Sequence, residues 1–292
     1  MKVREFFNDK RPVFSFEFFL PKTPEGMIQF KSTVWDLKRL SPSFVTLTYG
    51  AGGSARDRTI ETAGMIQNEL GLLTVAHLTC IAHTRAEIQA ILEKIRGLGI
   101  ENIMALRGDP PRDVALPPKD RRDYRYAVDL VRHIRKMDGF CVGVAGYPEK
   151  HPEAPTMEDD LRRLKDKVEA GADFITTQLF FDNEDYFRFV KNVRAMGITQ
   201  PILPGLMPVT NYGQLQKFAA MCGARIPAAI IQALEPRQTD TEFVTQYGID
   251  WTTRQARDLL DKGAPGIHFY TLNKSRSTEV ILSRLLGRPT AG

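Results

Sequence analysis

The stretch FSFEFF, residues 14–19, sets one carboxylate, Glu17, among four phenylalanines. The phenylalanines favour a buried strand. An ionised glutamate in such a place is costly unless a cation pairs with it or its pKa rises. General acid catalysis is the chemistry that uses a carboxyl group kept protonated in this way. A second stretch, ALRGDPP (105–111), puts Arg107 and Asp109 on either side of Gly108. Fixed charges beside exposed backbone fit a turn that pairs its own charges and equally a turn that presents them to a ligand. Gln178 lies in the apolar run FITTQLFF, and His77 in TVAHLTC. A histidine inside a strand is more often a satisfied core residue than a ligand.

Several other chemistries lack their motifs. GxGxxG is absent, and the glycine-rich YGAGGSARD (49–57) has the wrong spacing for it. Neither GxxxxGK[ST] nor GxSxG occurs. The five histidines, His77, His83, His133, His151 and His268, show no ligand spacing, so a metal site is not expected. Cys80, Cys141 and Cys222 are far apart and form no CxxC, which suits a reducing compartment. The 40 basic residues exceed the 35 acidic ones only slightly, and the dense stretch 119–136 interleaves aspartates with its arginines. That reads as a solvated helix face and not as a nucleic-acid stripe. The N-terminus has no apolar signal region, and no apolar run approaches the roughly twenty residues of a membrane span. A soluble, cytoplasmic protein without a nucleic-acid or membrane partner is expected.

The elements that must position these residues alternate regularly. Eight short apolar runs read as strands: 13–19, 44–49, 74–80, 102–107, 141–147, 174–181, 201–205 and 266–272. Helix-like segments follow at 24–40, 57–70, 84–97, 124–137, 157–170, 183–196, 211–222 and 252–263, with a last one at 275–286. Thr84 and Glu87 form a capping box at the start of the third. Strand and helix alternating eight times predict a parallel (β/α)8 TIM barrel, read as one domain over 1–292 with a helical insertion at 225–263 before the last strand. Barrel sites lie at the C-terminal strand ends. Those ends carry Glu17; Thr48 and Tyr49; His77; Arg107, Gly108 and Asp109; Tyr147; Gln178; and Thr271 to Lys274, whereas the opposite ends are plain. Alternation turns Phe14, Phe16 and Phe18 toward the helices and Ser15, Glu17 and Phe19 into the barrel.

FSFEFF, TYGAGGSARDRT, HLTC, ALRGD, AGYPEKHPEA, TTQLFFD, PGLMPV and HFYTLN, in this order, resemble the catalytic domain of the methylenetetrahydrofolate reductases. The resemblance runs from about residue 13 to the C-terminus and suggests the short bacterial form. It implies a barrel that holds FAD without a Rossmann motif and a ping-pong reaction. NADH or NADPH reduces the flavin, and methylenetetrahydrofolate then takes the hydride to give 5-methyltetrahydrofolate. It also implies residue roles. Glu17 matches the general acid that opens the five-membered ring at N10, with a raised pKa. Asp109 matches a carboxylate near the flavin and the pterin. Thr48, Tyr49, Ala51, His77, Arg107, Gly108, Tyr126, Ala127, Tyr147, His151, Ala154, Asp160 and Lys167 match FAD contacts, with Arg107 and Lys167 toward the pyrophosphate. Gln178, Gln214 and Phe218 match groups that orient and pack the substrate, with Glu17, Thr48 and Asp109 beside it. Lys274 is placed for the glutamate tail.

The chain departs from the family pattern at Lys274, where a familiar bacterial member has arginine, and at Arg163, Asp166 and Leu20. Arg163 and Asp166 are therefore not carried over as FAD contacts. Three alternatives stay open: a flavin-free barrel lyase or transferase acting on another pterin, a non-catalytic flavin- or folate-binding barrel, and a reductase fed electrons by a partner protein. Homo-oligomerisation and the choice between NADH and NADPH stay open as well.

Overall fold

The computed structural model describes residues 1–49, 53–110, 118 and 121–288. A 3-10 turn, Val3–Asn8, leads into alternating strands and helices. They are β1 (Val13–Phe18), α1 (Pro24–Lys38), β2 (Phe44–Leu47), α2 (Gly53–Asn68), β3 (Thr74–Thr79), α3 (Arg85–Gly97) and β4 (Asn102–Leu106). Next come α4 (Ala127–Arg135), β5 (Cys141–Gly146), α5 (Met157–Glu169), β6 (Phe174–Thr177) and α6 (Asn183–Ala195). The chain continues through β7 (Ile202–Leu203), β8 (Gly205–Leu206), α7 (Tyr212–Cys222), α8 (Ala228–Leu234), α9 (Thr241–Asp261), β9 (Gly266–Tyr270) and α10 (Arg276–Leu286).

Every strand pair is parallel, in the order β7-β6-β5-β4-β3-β2-β1-β9-β8. The two ends of this sheet, β7 and β8, are separated by Pro204 alone, so the sheet closes through one interrupted strand. The expected seventh strand, 201–205, is thus split. Proline has no N–H to donate to a ladder. The Pro204 carbonyl instead accepts from His268 N at 2.9 Å, and Gly205 N donates to Thr177 Oγ1 at 2.9 Å. The expected (β/α)8 barrel is otherwise present, with β7 and β8 as two halves of its seventh strand.

Alternation along each strand sorts the side chains into two cores. Phe16, Phe18, Val45, Leu47, Leu78 and Ile103 join the large core between barrel and helices. Val13, Phe44, Val75, Cys141, Phe174 and Leu203 fill the lower interior, closed from below by Val3. A Cβ at Gly143 would collide with the Phe174 ring, so glycine there makes room for that ring. Above this apolar layer the inward residues turn polar: Ser15, Thr46, His77 and His268 are all buried.

The Thr84–Glu87 capping box forms as expected, with Glu87 N donating to Thr84 Oγ1 at 3.2 Å and Thr84 N to Glu87 Oε2 at 2.7 Å. The insertion is helical, but α9 starts eleven residues before the expected 252, because Asp240 caps it by accepting from Phe243 N at 3.0 Å. Its Val244 packs with Ile230 and Leu234 of α8 and Leu215 of α7 in a separate apolar cluster. Among the described residues, no helix is long and apolar enough to cross a membrane.

Candidate active site

Glu17 is the penultimate residue of β1, with its side chain 19% exposed. The polar approaches to its carboxyl group all meet one oxygen. Thr46 Oγ1 donates to Oε2 at 3.4 Å from β2, and His268 Nε2 lies 3.4 Å from Oε2 on β9. His77 Nε2 on β3 stands 3.5 Å from the same atom, close enough for electrostatics but without hydrogen-bond geometry. The register that pairs Ser15 with His268 also brings Ser15 Oγ to 2.8 Å from His268 Nδ1. Among the described residues, Oε1 makes no hydrogen bond.

Burial pushes the Glu17 carboxyl upward in pKa. The His268 hydrogen bond, the His77 and His268 charges and the Thr46 hydroxyl outweigh it, and the group is held below the usual carboxylate range. This is opposite in direction to the raised pKa that the family resemblance implied. Phe14, Phe16 and Phe18 face the helices, and the interior offers donors instead. His77 is pushed toward its neutral form, first by burial and then by His268, with Glu17 opposing. Phe19, expected inward, lies just past the strand at the rim and is 43% exposed.

Glu17 lines a cavity of about 550 Å³ at the C-terminal end of the barrel. It also collects Thr48, Tyr49, His77, Arg107, Gly108, Asp109, Tyr147, His151, Gln178 and Phe218, drawn from the C-terminal parts of β2 to β6, the loops after them and α7. Gly108 has φ +83°, and a Cβ there would stand 2.8 Å from Thr79 Cβ, so only glycine lets the β4 turn fold against β3. Gln178 Oε1 accepts from Leu179 N at 2.8 Å. Thr176 Oγ1, buried in the same wall, has no hydrogen-bond partner among the described residues. Asp109 is exposed at the mouth.

A second cavity of about 300 Å³ adjoins the first and shares Arg107, Tyr147 and His151 with it. Its walls hold Tyr126, Ala127, Ala154, Asp160 and Lys167. Lys167 is half-buried and donates to the Ala145 carbonyl at 2.6 Å. Burial, only partly offset by Asp160, pulls its pKa down to about 8. A half-buried cation facing a cavity with a lone carbonyl for a partner suits a phosphate. Arg107 is more committed than expected, since its Nη2 donates to Glu153 Oε1 at 2.7 Å and its Nε to the Gly108 carbonyl at 3.1 Å. Arg163 and Asp166 do line this cavity, and the Arg163 guanidinium lies 4.7 Å over the Tyr126 ring.

Two expected residues lie outside both cavities. Gln214 is exposed on α7, one turn before Phe218 on the same face. Lys274 is exposed on the rim, with Nζ 3.1 Å from Thr210 Oγ1. Ala51 lies outside the described residues. Among the described residues no group of three or more His, Cys, Asp or Glu could hold a metal ion.

Residues 2–286 match the family model of methylenetetrahydrofolate reductase. The chain belongs to the methylenetetrahydrofolate reductase family. It is 42% identical over 295 residues to "Methylenetetrahydrofolate reductase (NADH) 1" of Zea mays, covering 97% of this chain and 50% of that one. It is 40% identical over 279 residues to "5,10-methylenetetrahydrofolate reductase" of Salmonella typhimurium, covering 94% and 91%. The chain therefore spans about half the length of the plant reductase and most of the bacterial one. A Clostridium thermocellum structure, described as binding two copies of 5-methyl-5,6,7,8-tetrahydrofolic acid, shares the fold at TM-score 0.67 and 14% identity, covering 97% of each chain.

Within the methylenetetrahydrofolate reductase frame, the sequence reading missed the groups that surround its acid. Thr46 and His268 reach Glu17, and Ser15 reaches His268, only through strand pairing. The available signal was alternation, which puts residues 268 and 270 on the same inward face that 15 and 17 occupy on β1.

Proposed function

We propose that this chain reduces 5,10-methylenetetrahydrofolate to 5-methyltetrahydrofolate with NADH or NADPH, using FAD in a ping-pong reaction. The observation that carries this reading is Glu17, a carboxyl group at a barrel strand end with every donor on Oε2 and the side chain lining a 550 Å³ cavity. That arrangement leaves one oxygen to serve a substrate nitrogen.

The residues fit a flavin dinucleotide. Two adjoining cavities give it length, Lys167 offers a half-buried cation, and Thr176 Oγ1 is a buried hydroxyl without a partner among the described residues. FAD, when bound, supplies the hydride carrier that serves nicotinamide and folate in turn. Thr48, Tyr49, His77, Gly108, Tyr147 and His151 would hold its ring end, and Ala51 joins them on the family pattern alone. Tyr126, Ala127, Ala154, Asp160 and Lys167 would hold the phosphate and adenosine end, and Arg107 can join by sharing its guanidinium with Glu153. Asp109 sits where the pterin would enter, Gln178 orients folate and nicotinamide, and Gln214 and Phe218 pack the substrate from α7. Lys274 meets the glutamate tail as a point charge and not as a bidentate fork. Folate and flavin would shut water out around Glu17, favour its protonated form and let it give that proton to N10, which opens the five-membered ring to the electrophilic iminium.

The test is anaerobic. The purified protein should be yellow, bleach with NADH or NADPH and recolour with methylenetetrahydrofolate. A colourless preparation that takes up no FAD overturns the flavin reading. Bleaching without recolouring overturns the folate reading. Recolouring with folate after chemical but not nicotinamide reduction points instead to a protein electron donor.

A further inference from the structure

We propose that Arg225 is a positioning residue for folate. It braces the C-terminal end of α7 against the loops that follow β5 and β6, and so holds Phe218 at the mouth of the cavity. The inference rests on folate being the second substrate of this site.

The packing of α7 calls for such a brace. Its buried side chains, Tyr212, Leu215 and Ala219, join the small apolar cluster and not the large barrel core. Phe218, Met221 and Cys222 lie along the 550 Å³ cavity. Just before the helix, Thr210 Oγ1 lies 3.1 Å from Lys274 Nζ on the rim. The helix stops at Gly223, φ +70°, with Ala224 N donating to the Ala219 carbonyl at 2.9 Å. A Cβ on Gly223 would stand 3.3 Å from Pro152 Cγ, so the helix end lies against the loop after β5.

Arg225 then meets three carboxylates from two loops. Its backbone N–H donates to Glu149 Oε2 at 2.9 Å. Its Nη2 donates to Asp182 Oδ2 at 2.9 Å and to Asp185 Oδ2 at 3.3 Å. Asp185 is 2% exposed, and its other oxygen accepts from Arg188. Glu149 lies between the cavity residues Tyr147 and His151, and Asp182 follows Gln178 by four positions. One residue therefore ties the helix that carries Phe218 to both loops. Burial pushes the Glu149 carboxyl up in pKa, the Arg225 N–H and charge pull it down, and Asp185 and Asp182 push it up. Without the Arg225 charge, Arg188 would be the one cation left in contact with these carboxylates among the described residues. Their mutual repulsion would then act against the helix end. A helix already held in place costs less to order when folate binds, so the brace acts on affinity more than on the chemical step.

Arg225→Met removes the charge and keeps the backbone N–H, and Arg225→Lys restores a charge. Asp182→Asn removes one partner and keeps an oxygen to accept from Glu184 N, which caps α6. It carries the test if Arg225→Met folds poorly. Two readouts apply: hydrogen exchange of the α7 amides without folate, and the KM and saturating rate of flavin recolouring by methylenetetrahydrofolate. Arg225→Met should speed exchange over 212–222 about tenfold, leave the barrel strands protected, raise the KM for folate about tenfold and keep the saturating rate within about twofold. Arg225→Lys should recover most of both changes, and Asp182→Asn should show both to a smaller extent. A merely structural ion pair would lower the unfolding midpoint and the active fraction at an unchanged KM. That result, or unchanged exchange in α7, overturns the proposal. A wild-type protein that never recolours with folate would sink the functional reading, while exchange in α7 still reports on Arg225.

Discussion

The two ends of this barrel solve opposite problems with the same kinds of residue. At the N-terminal end Asp173 is enclosed by donors: Arg4 Nη1 at 2.9 Å, Arg135 Nη2 at 2.5 Å and Val142 N at 2.7 Å. Arg135 also caps the Phe140 carbonyl at 2.9 Å, and Asn102 ties down the N-terminus by accepting from Val3 N at 2.8 Å and donating to the Met1 carbonyl at 3.1 Å. At the C-terminal end, among the described residues, Lys167 has one carbonyl, Thr176 Oγ1 has no partner and Glu17 uses one oxygen of two. Buried polar groups are normally satisfied, so a cluster of exceptions on one face marks where a ligand completes the bonding. The closed end holds the barrel together, and the open end holds capacity in reserve.

The strongest test of that contrast is a pair of carboxyl-to-amide changes. Glu17→Gln at the open end should cut folate-dependent recolouring by about 10²- to 10⁴-fold while leaving nicotinamide bleaching and unfolding temperature near wild type. Asp173→Asn at the closed end should leave the rate per folded molecule alone and cost about 3 kcal/mol of stability, because it strips two arginines of their charge partner. Stopped-flow absorbance and urea unfolding measure the two. If the effects were exchanged, the division of labour between the ends would be wrong.

Asp173 also fixes an acid signature. Burial raises its pKa, but the Val142 amide, Arg135 and Arg4 together hold it below the usual carboxylate range. Its stabilising effect is therefore complete above the unfolded value near 3.9 and disappears as pH falls through the lower folded value. Below about pH 4, wild type should lose stability more steeply than Asp173→Asn, as followed by circular dichroism during acid titration.

Part of this contrast was legible in the sequence. Glu17 announced itself as a charge between phenylalanines, and polar strand ends against plain strand starts gave the orientation of the site. His268 was hidden, because its reason lies on another strand 253 residues away and only barrel register joins it to Ser15. The pKa direction of Glu17 was hidden for the same reason, because His268, His77 and Thr46 on other strands supply the field. Pro204 was visible in PILPG, yet a strand of five residues with one missing donor was read as continuous. The insertion gave its helical character but not the length of α9, which Asp240 sets by capping at a turn that composition does not single out.

Lys167→Met should expose the cost of keeping the open end unfinished. With the folded pKa pulled to about 8 from 10.5, the unfolded chain binds the extra proton between those values. Wild-type stability should therefore rise with pH across that window, and the full penalty, about 2–3 kcal/mol, applies below it. Without flavin, Lys167→Met should be more stable than wild type at pH 7 by up to that amount and show a flat profile from about pH 8 to 10.5, while binding flavin more weakly. A variant less stable than wild type at pH 7 would mean that the Ala145 hydrogen bond outweighs desolvation, and the lysine would belong with the satisfied groups of the closed end.

The smallest effect concerns the loop that carries Phe19 at the rim of the cavity. Asn273 clasps it twice, with Nδ2 donating to the Phe19 carbonyl at 2.7 Å and Oδ1 accepting from Phe19 N at 3.0 Å. Asn273 itself has φ +55°, a left-handed conformation that asparagine tolerates better than most side chains. Asn273→Gly keeps that backbone and loses the clasp, so it should cost about 1 kcal/mol in urea unfolding. Asn273→Ala loses the clasp and adds strain, so it should cost roughly 1 kcal/mol more. Both should raise the KM for folate more than they change the rate at saturation, because the loop borders the cavity without touching the acid. An alanine variant no worse than the glycine one would show that the clasp alone, and not the left-handed turn, holds the open end in shape.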